Sequence, residues 1–505
     1  MIDPSKHQTA PPQNTSTVVI LLLFTLSFSL RFFLISKGPY HVDCLGLAIA
    51  AENTLKTLHL NYEYGFGYPT DVILATFFVW LLRVFGFQDS VFAVNFMSVV
   101  ISSLSIPLFY ATIKKLLDRR TALLSALLLC FSPIYLGLSV YGKSHTPSLF
   151  FLILGIYFLI NKAKKKYFFL SAIAVGFMGA TRLQDMVVMA IPISYLLFSG
   201  EKDLKIFFKD LVLYWSIVFG VTALLHAPYV IGPDKEEYLS QLSAFTKDAS
   251  SQWVSLFSPA LFSCLNYFEM NSTWLGLILA LLGFILLLTR KPKIFLFCFL
   301  WFMVTLLFFG NMWSTRPRYL NLTIPALCIA QGFFLAYFIN LRKIFKITTL
   351  IALLIIIFIP FNSILPILWF RHQRALLPEY VQWLDRMVEK NAVFITSDEG
   401  LFINYYADHA ILYKPVELYT PVAEGQFNDF KKQLDALLNQ NTPLYITSKT
   451  IHAYDLSKKF KEFMLNNYKL EYVGRNYSDD WHKGELFFQA YPNYLFKITK
   501  GVTTD

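Results

Sequence analysis

Apolar runs of about 15 to 23 residues recur along this chain, separated by short clusters of lysine and arginine. At about 1.5 Å of rise per residue, runs of this length cross a hydrocarbon core of roughly 30 Å as helices. The pattern predicts a polytopic α-helical membrane protein. Composition agrees: of 505 residues, 55% are hydrophobic and only 15% charged, and 50 are phenylalanine. An ordinary soluble enzyme carries more charge and fewer phenylalanines. A disordered or fibrous chain is excluded too, since neither repeats nor polar low-complexity tracts occur beyond the first sixteen or so residues.

Eleven candidate spans are read: 17–35, 91–112, 121–141, 147–160, 167–181, 186–199, 211–231, 273–289, 294–310, 319–340 and 347–370. The first is too long for a signal-peptide core and no A-x-A-like cleavage site follows it, so it reads as an uncleaved span. Basic clusters at 114–120, 162–166, 202–209, 290–293 and 342–346 then fall on the side of the N-terminus, which the positive-inside rule makes the cytoplasm. The net charge of +11 is therefore a topological signal, and no basic stripe interleaved with aromatics supports a nucleic-acid partner. One stretch, 72–82, decides the parity. At roughly 16 Å as a helix it is too short to span unaided, and counting it would turn all the basic clusters outward. It is expected to be a re-entrant or interfacial helix.

The loops 37–90, 143–146, 182–185, 232–272 and 311–318, and the tail from 371, then share the outer face. The inner face shows only short basic connections. That suits an enzyme working at the outer leaflet better than a transporter, which needs access from both sides. A polytopic transporter or lipid flippase is the alternative function, and an assembly scaffold a nonenzymatic one. The domain organisation expected is a cytoplasmic tail 1–16, a transmembrane domain 17–370 and a soluble extracytoplasmic α/β domain 371–505. In that last part, strands at 392–396, 410–413, 443–448 and 469–474 alternate with helices at 379–389, 427–438 and 455–465. Ser397, Asp398 and Glu399 follow its first strand, where an open α/β sheet places a ligand crevice and where helix caps also sit.

Several residues could carry chemistry. Asp43 stands a few residues past the first span, at the edge of the interfacial segment 45–58. It reads as a helix N-cap or as a general base toward a hydroxyl or amine. Lys143 and His145 lie where an outer loop joins two spans. Arg182 and Asp185 flank a connection deep in the apolar pattern, where ionisable residues are functional or paired with each other. His226 and Tyr229 end another span and read first as interfacial anchors. Arg316 and Arg318 cap the outer end of a span, where the positive-inside rule disfavours them, so an anion should compensate. Guanidinium matches phosphate by bidentate bonding, and a lipid phosphate is the obvious anion at that depth. Asn271-Ser-Thr and Asn321-Leu-Thr match the glycosylation sequon, and Cys44 and Cys264 could bond in an oxidising compartment. The five cysteines form no CxxC pair, so they give metal or redox chemistry little support.

Together these residues resemble the GT-C superfamily of membrane glycosyltransferases, nearest the branch of protein O-mannosyltransferases and bacterial lipid A aminoarabinose transferases. Four features carry the resemblance: Asp43 after the first span, Tyr68-Pro69 leading into a short amphipathic helix, FSPIYLGLSVYGKSHTPS after the basic turn KKLLDRR, and Arg318-Tyr319 followed by Pro325. They cover roughly residues 17–345. The resemblance implies an inverting transfer of a sugar from a polyprenyl-phosphate donor to a lipid, glycan or protein acceptor outside the cytoplasm, with membrane lipids as surroundings. Asp43 would deprotonate the acceptor, while Arg182, Arg316, Arg318 and Tyr319 would hold the lipid phosphate and stabilise it as leaving group. Lys143, His145, Asp185, His226 and Tyr229 complete the expected substrate site. A multi-pass protein of a bacterial inner membrane, its site facing outward, is the expected setting. The sequence departs from the family at Cys44, where Asp-Glu is common, at Lys143 or His145, where a carboxylate is usual, and at the single Pro69. A divalent cation is left open, with no metal ligands assigned.

Overall fold

Several helices begin at short polar caps or prolines. Asp89, Asp118 and Asp203 accept backbone N–H groups of the turn that follows each, and Pro69, Pro133 and Pro292 stand in first turns, where a missing N–H costs nothing. The computed structural model describes residues 14–62, 67–161, 164–199, 203–252, 259–311, 316–339, 341, 343–397, 399–416, 422, 424–453, 455, 457–479 and 490–500.

Helix α1 (Asn14–Phe33) packs along α4 (Ser90–Leu116), and between them α2 (Val42–Thr57) and α3 (Pro69–Val84) lie against each other and against α4. As expected, 72–82 is part of a short helix. Val72, Ala75 and Val79 of α3 are buried while Phe77 and Trp80 are exposed, so it is apolar on both sides. The span expected at 121–141 is broken into α5 (Arg119–Phe131) and α6 (Pro133–Ser139), bent by 60°. Pro133 cannot donate to the preceding turn, and Ser132 accepts from Tyr135 N–H instead. The bend brings Val140 to the loop between α1 and α2, where its carbonyl accepts from Ser36 N–H at 2.9 Å. Arg31, fully buried near the end of α1, donates to Ser27 Oγ and the Cys130 carbonyl and covers the Tyr135 ring, fastening α1 to this bent pair.

Next come α7 (His145–Leu159), α8 (Lys165–Thr181), α9 (Leu183–Phe198), α10 (Leu204–Ile231), the polar α11 (Lys235–Gln252), α12 (Pro259–Arg290) and α13 (Pro292–Gly310). The segment expected as a span at 319–340 opens as a 3-10 turn, Pro317–Leu322, and becomes α14 (Ile324–Ile339) only afterwards; α15 (Lys343–Gln373) completes the bundle. Every expected span falls on helix. Among the described residues, five helices are long and apolar enough to cross a membrane, or six with α5 and α6 as one span, and four shorter apolar helices accompany them.

The tail is α/β, as expected. Helix α16 (Leu376–Met387) leads to β1 (Val393–Thr396), α17 (Gly400–Ala407), β2 (Ala410–Tyr413), α18 (Glu424–Asn439), β3 (Leu444–Thr447), α19 (Ser448–His452), α20 (Lys459–Asn467), β4 (Tyr468–Asp479) and β5 (Ala490–Lys500). The strand order is β2-β1-β3-β5-β4, with β1 parallel to both neighbours and β5 antiparallel to both of its own. Strand β5 is absent from the sequence reading, and β4 runs longer than expected. Both carry aromatic and aliphatic residues that suit a strand, and β5 pairs with β3 and β4. One sheet face buries Ile395, Ile446 and Ile498 beneath Leu434 of α18 and Phe460 of α20. The other joins Phe394, Tyr445 and Leu495 to a core continuous with the helical bundle. Lys37 N–H donates to the Arg371 carbonyl at 3.0 Å and Tyr40 to the Arg374 carbonyl at 2.8 Å, tying the loop between α1 and α2 to the end of α15.

Candidate active site

The end of the bundle that carries the sheet gathers four separate connections around α2. His41, extended at φ −151° and ψ 149°, precedes the helix, and Asp43 sits in its first turn. Asn95 of α4, fully buried, sets the neighbours of this turn. Its Oδ1 accepts from Gly142 N–H at 2.8 Å and from the Cys44 thiol at 3.2 Å, and its Nδ2 donates to the Ser36 carbonyl at 2.9 Å. The residue after Asp43 and the residue before Lys143 are thus held on one amide. Gly142 has to be glycine, because a Cβ there would stand 2.1 Å from Val94 Cγ1.

Lys143 Nζ lies 3.1 Å from Asp43 Oδ2, and His41 Nδ1 lies 3.0 Å from Asp43 Oδ1. On the far side of the imidazole, Arg318 donates to His41 Nε2 at 2.7 Å, while its other amino group donates to Tyr319 Oη at 3.2 Å. Burial pushes His41 down to about 4, Lys143 and Arg318 adding to the effect while Asp43 opposes it. Burial alone would raise the Asp43 carboxyl, but His41, Lys143 and Arg318 outweigh it and hold the group well below the usual carboxylate range. Asp43 is ionised and His41 neutral at physiological pH. The cluster continues past Tyr319, whose ring stands 6.2 Å from that of His145. Arg182 contacts His145 Nδ1 at 3.4 Å, donates to Ser144 Oγ at 3.2 Å and pairs with Asp185 at 3.0 Å, and Ser148 donates to the same carboxylate at 2.7 Å. Asp43, Lys143, His145, Arg182, Asp185, Arg318 and Tyr319 therefore lie in one connected network.

Residues 72–229 match the family model described as dolichyl-phosphate-mannose-protein mannosyltransferase. Among solved structures, ArnT from Cupriavidus metallidurans in the apo state is similar over 96% of this chain and 98% of its own, with a TM-score of 0.65 and 11% identity. The archaeal oligosaccharyltransferase AglB from Archaeoglobus fulgidus matches with a TM-score of 0.61 at 12% identity, over 94% of this chain and 74% of that one. The arabinofuranosyltransferase AftD from Mycobacteria does so at 0.53 and 13% identity, over 98% of this chain and 40% of that one. The chain has the GT-C fold. No curated protein matches it in sequence.

Within this GT-C bundle some expected site residues stay apart. Arg316 has no hydrogen bond or ion pair from its side chain among the described residues; its carbonyl accepts from Tyr319 N–H at 3.0 Å and so shapes the turn that aims Arg318. His226 contacts the Thr222 carbonyl of its own helix at 2.9 Å, and Tyr229 packs with Tyr62 and Tyr238 and donates to the Asn61 carbonyl at 3.3 Å. A Cβ on Gly67, which turns at φ 90°, would meet the Tyr229 ring at 2.7 Å, so this aromatic group shapes the approach to α3. Both sequon asparagines are buried and engaged: Asn271 accepts from Ser132 Oγ at 2.7 Å, and Asn321 donates to the His145 carbonyl at 3.3 Å. Neither can receive a glycan in the folded state. Cys44 and Cys264 are both buried free thiols, Cys44 spent on Asn95, so the suggested disulfide is not formed.

In the tail, Glu399 accepts from Thr447 at 2.7 Å and Thr450 at 3.1 Å, while Asp398 lies outside the described residues. Sequence reasoning missed His41, Asn95 and Asp71. The first had a signal, two positions before Asp43; Asn95 had none beyond being an amide in an apolar run. Asp71, in the first turn of α3, is buried with both carboxylate oxygens lacking a hydrogen-bond partner among the described residues. A divalent cation does not fit this arrangement. Lys143 and His41 face the two oxygens of Asp43, and among the described residues no group of three or more His, Cys, Asp or Glu could hold a metal.

Proposed function

We propose that this membrane protein is a glycosyltransferase that moves a sugar from a polyprenyl-phosphate donor to an acceptor at the outer leaflet. The observation that carries the reading is the connection of Asp43 to Arg318 through one imidazole, which sets a proton acceptor and a phosphate-matching cation side by side. The similar ArnT is bound to undecaprenyl phosphate in one of its structures, and the AglB structure holds a dolichol-phosphate and an inhibitory peptide. A transporter is not favoured, since the polar network gathers at one end of the bundle. At the other end, basic connections meet one another, Lys115 donating to Asn161 and Tyr195 to the Lys293 carbonyl.

In the transfer, an acceptor hydroxyl or amine attacks the anomeric carbon. The bond from that carbon to the phosphate oxygen breaks, its electron pair stays on the phosphate, and Arg318, Arg182 and Lys143 offset the new charge. The acceptor's proton passes to Asp43. A carboxylate held this acidic takes the proton late, once bond formation has made the nucleophile acidic. Neutral His41 fixes the orientation of the carboxylate meanwhile. The same reading sets the N-terminal tail and basic connections in the cytoplasm of a bacterial inner membrane, and the site and residues 371–505 outside.

Purified protein given undecaprenyl- and dolichyl-phosphate-linked sugars should release free lipid phosphate and glycosylate an envelope acceptor. Mass analysis of glycans and glycoproteins from cells with and without the gene identifies the sugar. Unchanged glycans together with an accumulated solute would end this reading.

A further inference from the structure

Lys143 is buried, its side chain 2% exposed, with Nζ 3.1 Å from Asp43 Oδ2. An ammonium removed from water costs several kcal/mol unless a partner offsets it, and Asp43 is that partner. The second carboxylate oxygen faces His41 Nδ1 at 3.0 Å, and that ring is in turn hydrogen-bonded by Arg318. One oxygen that a metal would seek therefore faces the Lys143 ammonium, and the other is covered by the His41 imidazole. Arg182 adds a further positive charge nearby, and Asp185 is already committed to it and to Ser148. A hard divalent ion needs carboxylate oxygens open to it, and it would have to enter beside the Lys143, Arg182 and Arg318 cations.

We infer that Lys143 is a resident cation standing where a divalent ion would otherwise neutralise the lipid phosphate, so that the site takes a phosphate-bearing lipid without metal. The ammonium is shared between Asp43 and the incoming phosphate, and Arg318 supplies the bidentate contact. The inference deepens the glycosyltransferase reading and rests on it for the identity of the anion.

Two measurements on the full-length protein in detergent decide it. In the first, Mn2+ is titrated in and followed by electron paramagnetic resonance. Wild-type protein should show no saturable site, Lys143→Glu should gain one, and adding Asp43→Asn to that variant should abolish it. A saturable wild-type site that disappears in Asp43→Asn overturns the inference. In the second, undecaprenyl phosphate binding is measured after EDTA treatment. Wild-type affinity should hold within about twofold, while Lys143→Gln should weaken it by about tenfold, or about 1.4 kcal/mol. Binding lost with EDTA and restored by Mn2+, or equal binding by Lys143→Gln, overturns it. Should Lys143→Glu fail to fold, the wild-type titration and the EDTA comparison still decide. Failure of the wild-type protein to bind the lipid phosphate would count against the transferase reading, and the Mn2+ titration would then judge the exclusion of metal by itself.

Discussion

Arg318 donates a 2.7 Å hydrogen bond to His41 Nε2 across 277 positions of sequence. Arg318 faces Nε2, while Asp43 N–H donates to Nδ1 at 3.2 Å and the Asp43 carboxylate lies 3.0 Å from the same nitrogen, so the imidazole is held from both sides. The ring is thus held in part by an arginine from a distant part of the chain. His41→Ala should leave Asp43 and Arg318 uncoupled. A double-mutant cycle of His41→Ala with Arg318→Ala on undecaprenyl phosphate binding is expected to show about 1 kcal/mol or more of interaction. Additive effects would mean that the contact does nothing for the site.

Asp43→Asn keeps the shape of the side chain and removes the proton acceptor. Transfer should fall by roughly 10²–10⁴, and the melting temperature should fall with it, because the buried Lys143 ammonium loses its partner. Single-turnover assays with a lipid-linked sugar measure this, and a variant retaining most of the wild-type rate would assign the proton to another group.

Acid should destabilise the site over a definite window. The folded-state value of His41 is lowered to about 4 from an ordinary 6.5, so between those values the unfolded chain binds more protons. Its contribution is fully present above about 6.5 and lost as pH falls toward 4, amounting to about 3 kcal/mol at one unit per 1.4 kcal/mol. Asp43, also depressed, loses its contribution at lower pH still, below the carboxylate range. Melting temperatures recorded from pH 7 to 5 should drop in wild-type protein and drop less in His41→Gln. Parallel curves would show that another group titrates.

Asn95→Leu should impair transfer from a position that touches no substrate. It leaves Gly142 N–H and the Ser36 carbonyl without their partner, at about 1–3 kcal/mol for each buried group, and frees the two loops that present Asp43 and Lys143. Gly142→Ala should act alike through its clash with Val94. Both variants are expected to lose kcat more than stability, and a normal kcat in a destabilised protein would reduce Asn95 to a packing role.

Much of the fold was legible because a helix in hydrocarbon must be long and apolar. The broken span at Ser132-Pro133 was less legible: the proline was visible, but whether a helix kinks or stops there depends on what Ser132 and Asn271 find to bond. Strand β5 escaped because its partners β3 and β4 supply the reason for its shape. His226, Tyr229 and Arg316 looked like Lys143 and Arg182 in sequence, being polar groups at the outer ends of apolar runs. Their separation from the network follows from tertiary packing, which a hydropathy pattern does not encode.

Chain chemistry by itself thus determined the medium of this protein, because desolvation of each apolar run is a local property. It also marked Asp43, Lys143, Arg182 and Arg318 as charges in expensive places. Which of them touch, and which imidazole joins them, was decided only in three dimensions. Hydrogen bonds between residues hundreds of positions apart depend on distances of about 3 Å, and only the packing of α2, α4 and the turn before α14 against one another sets those distances.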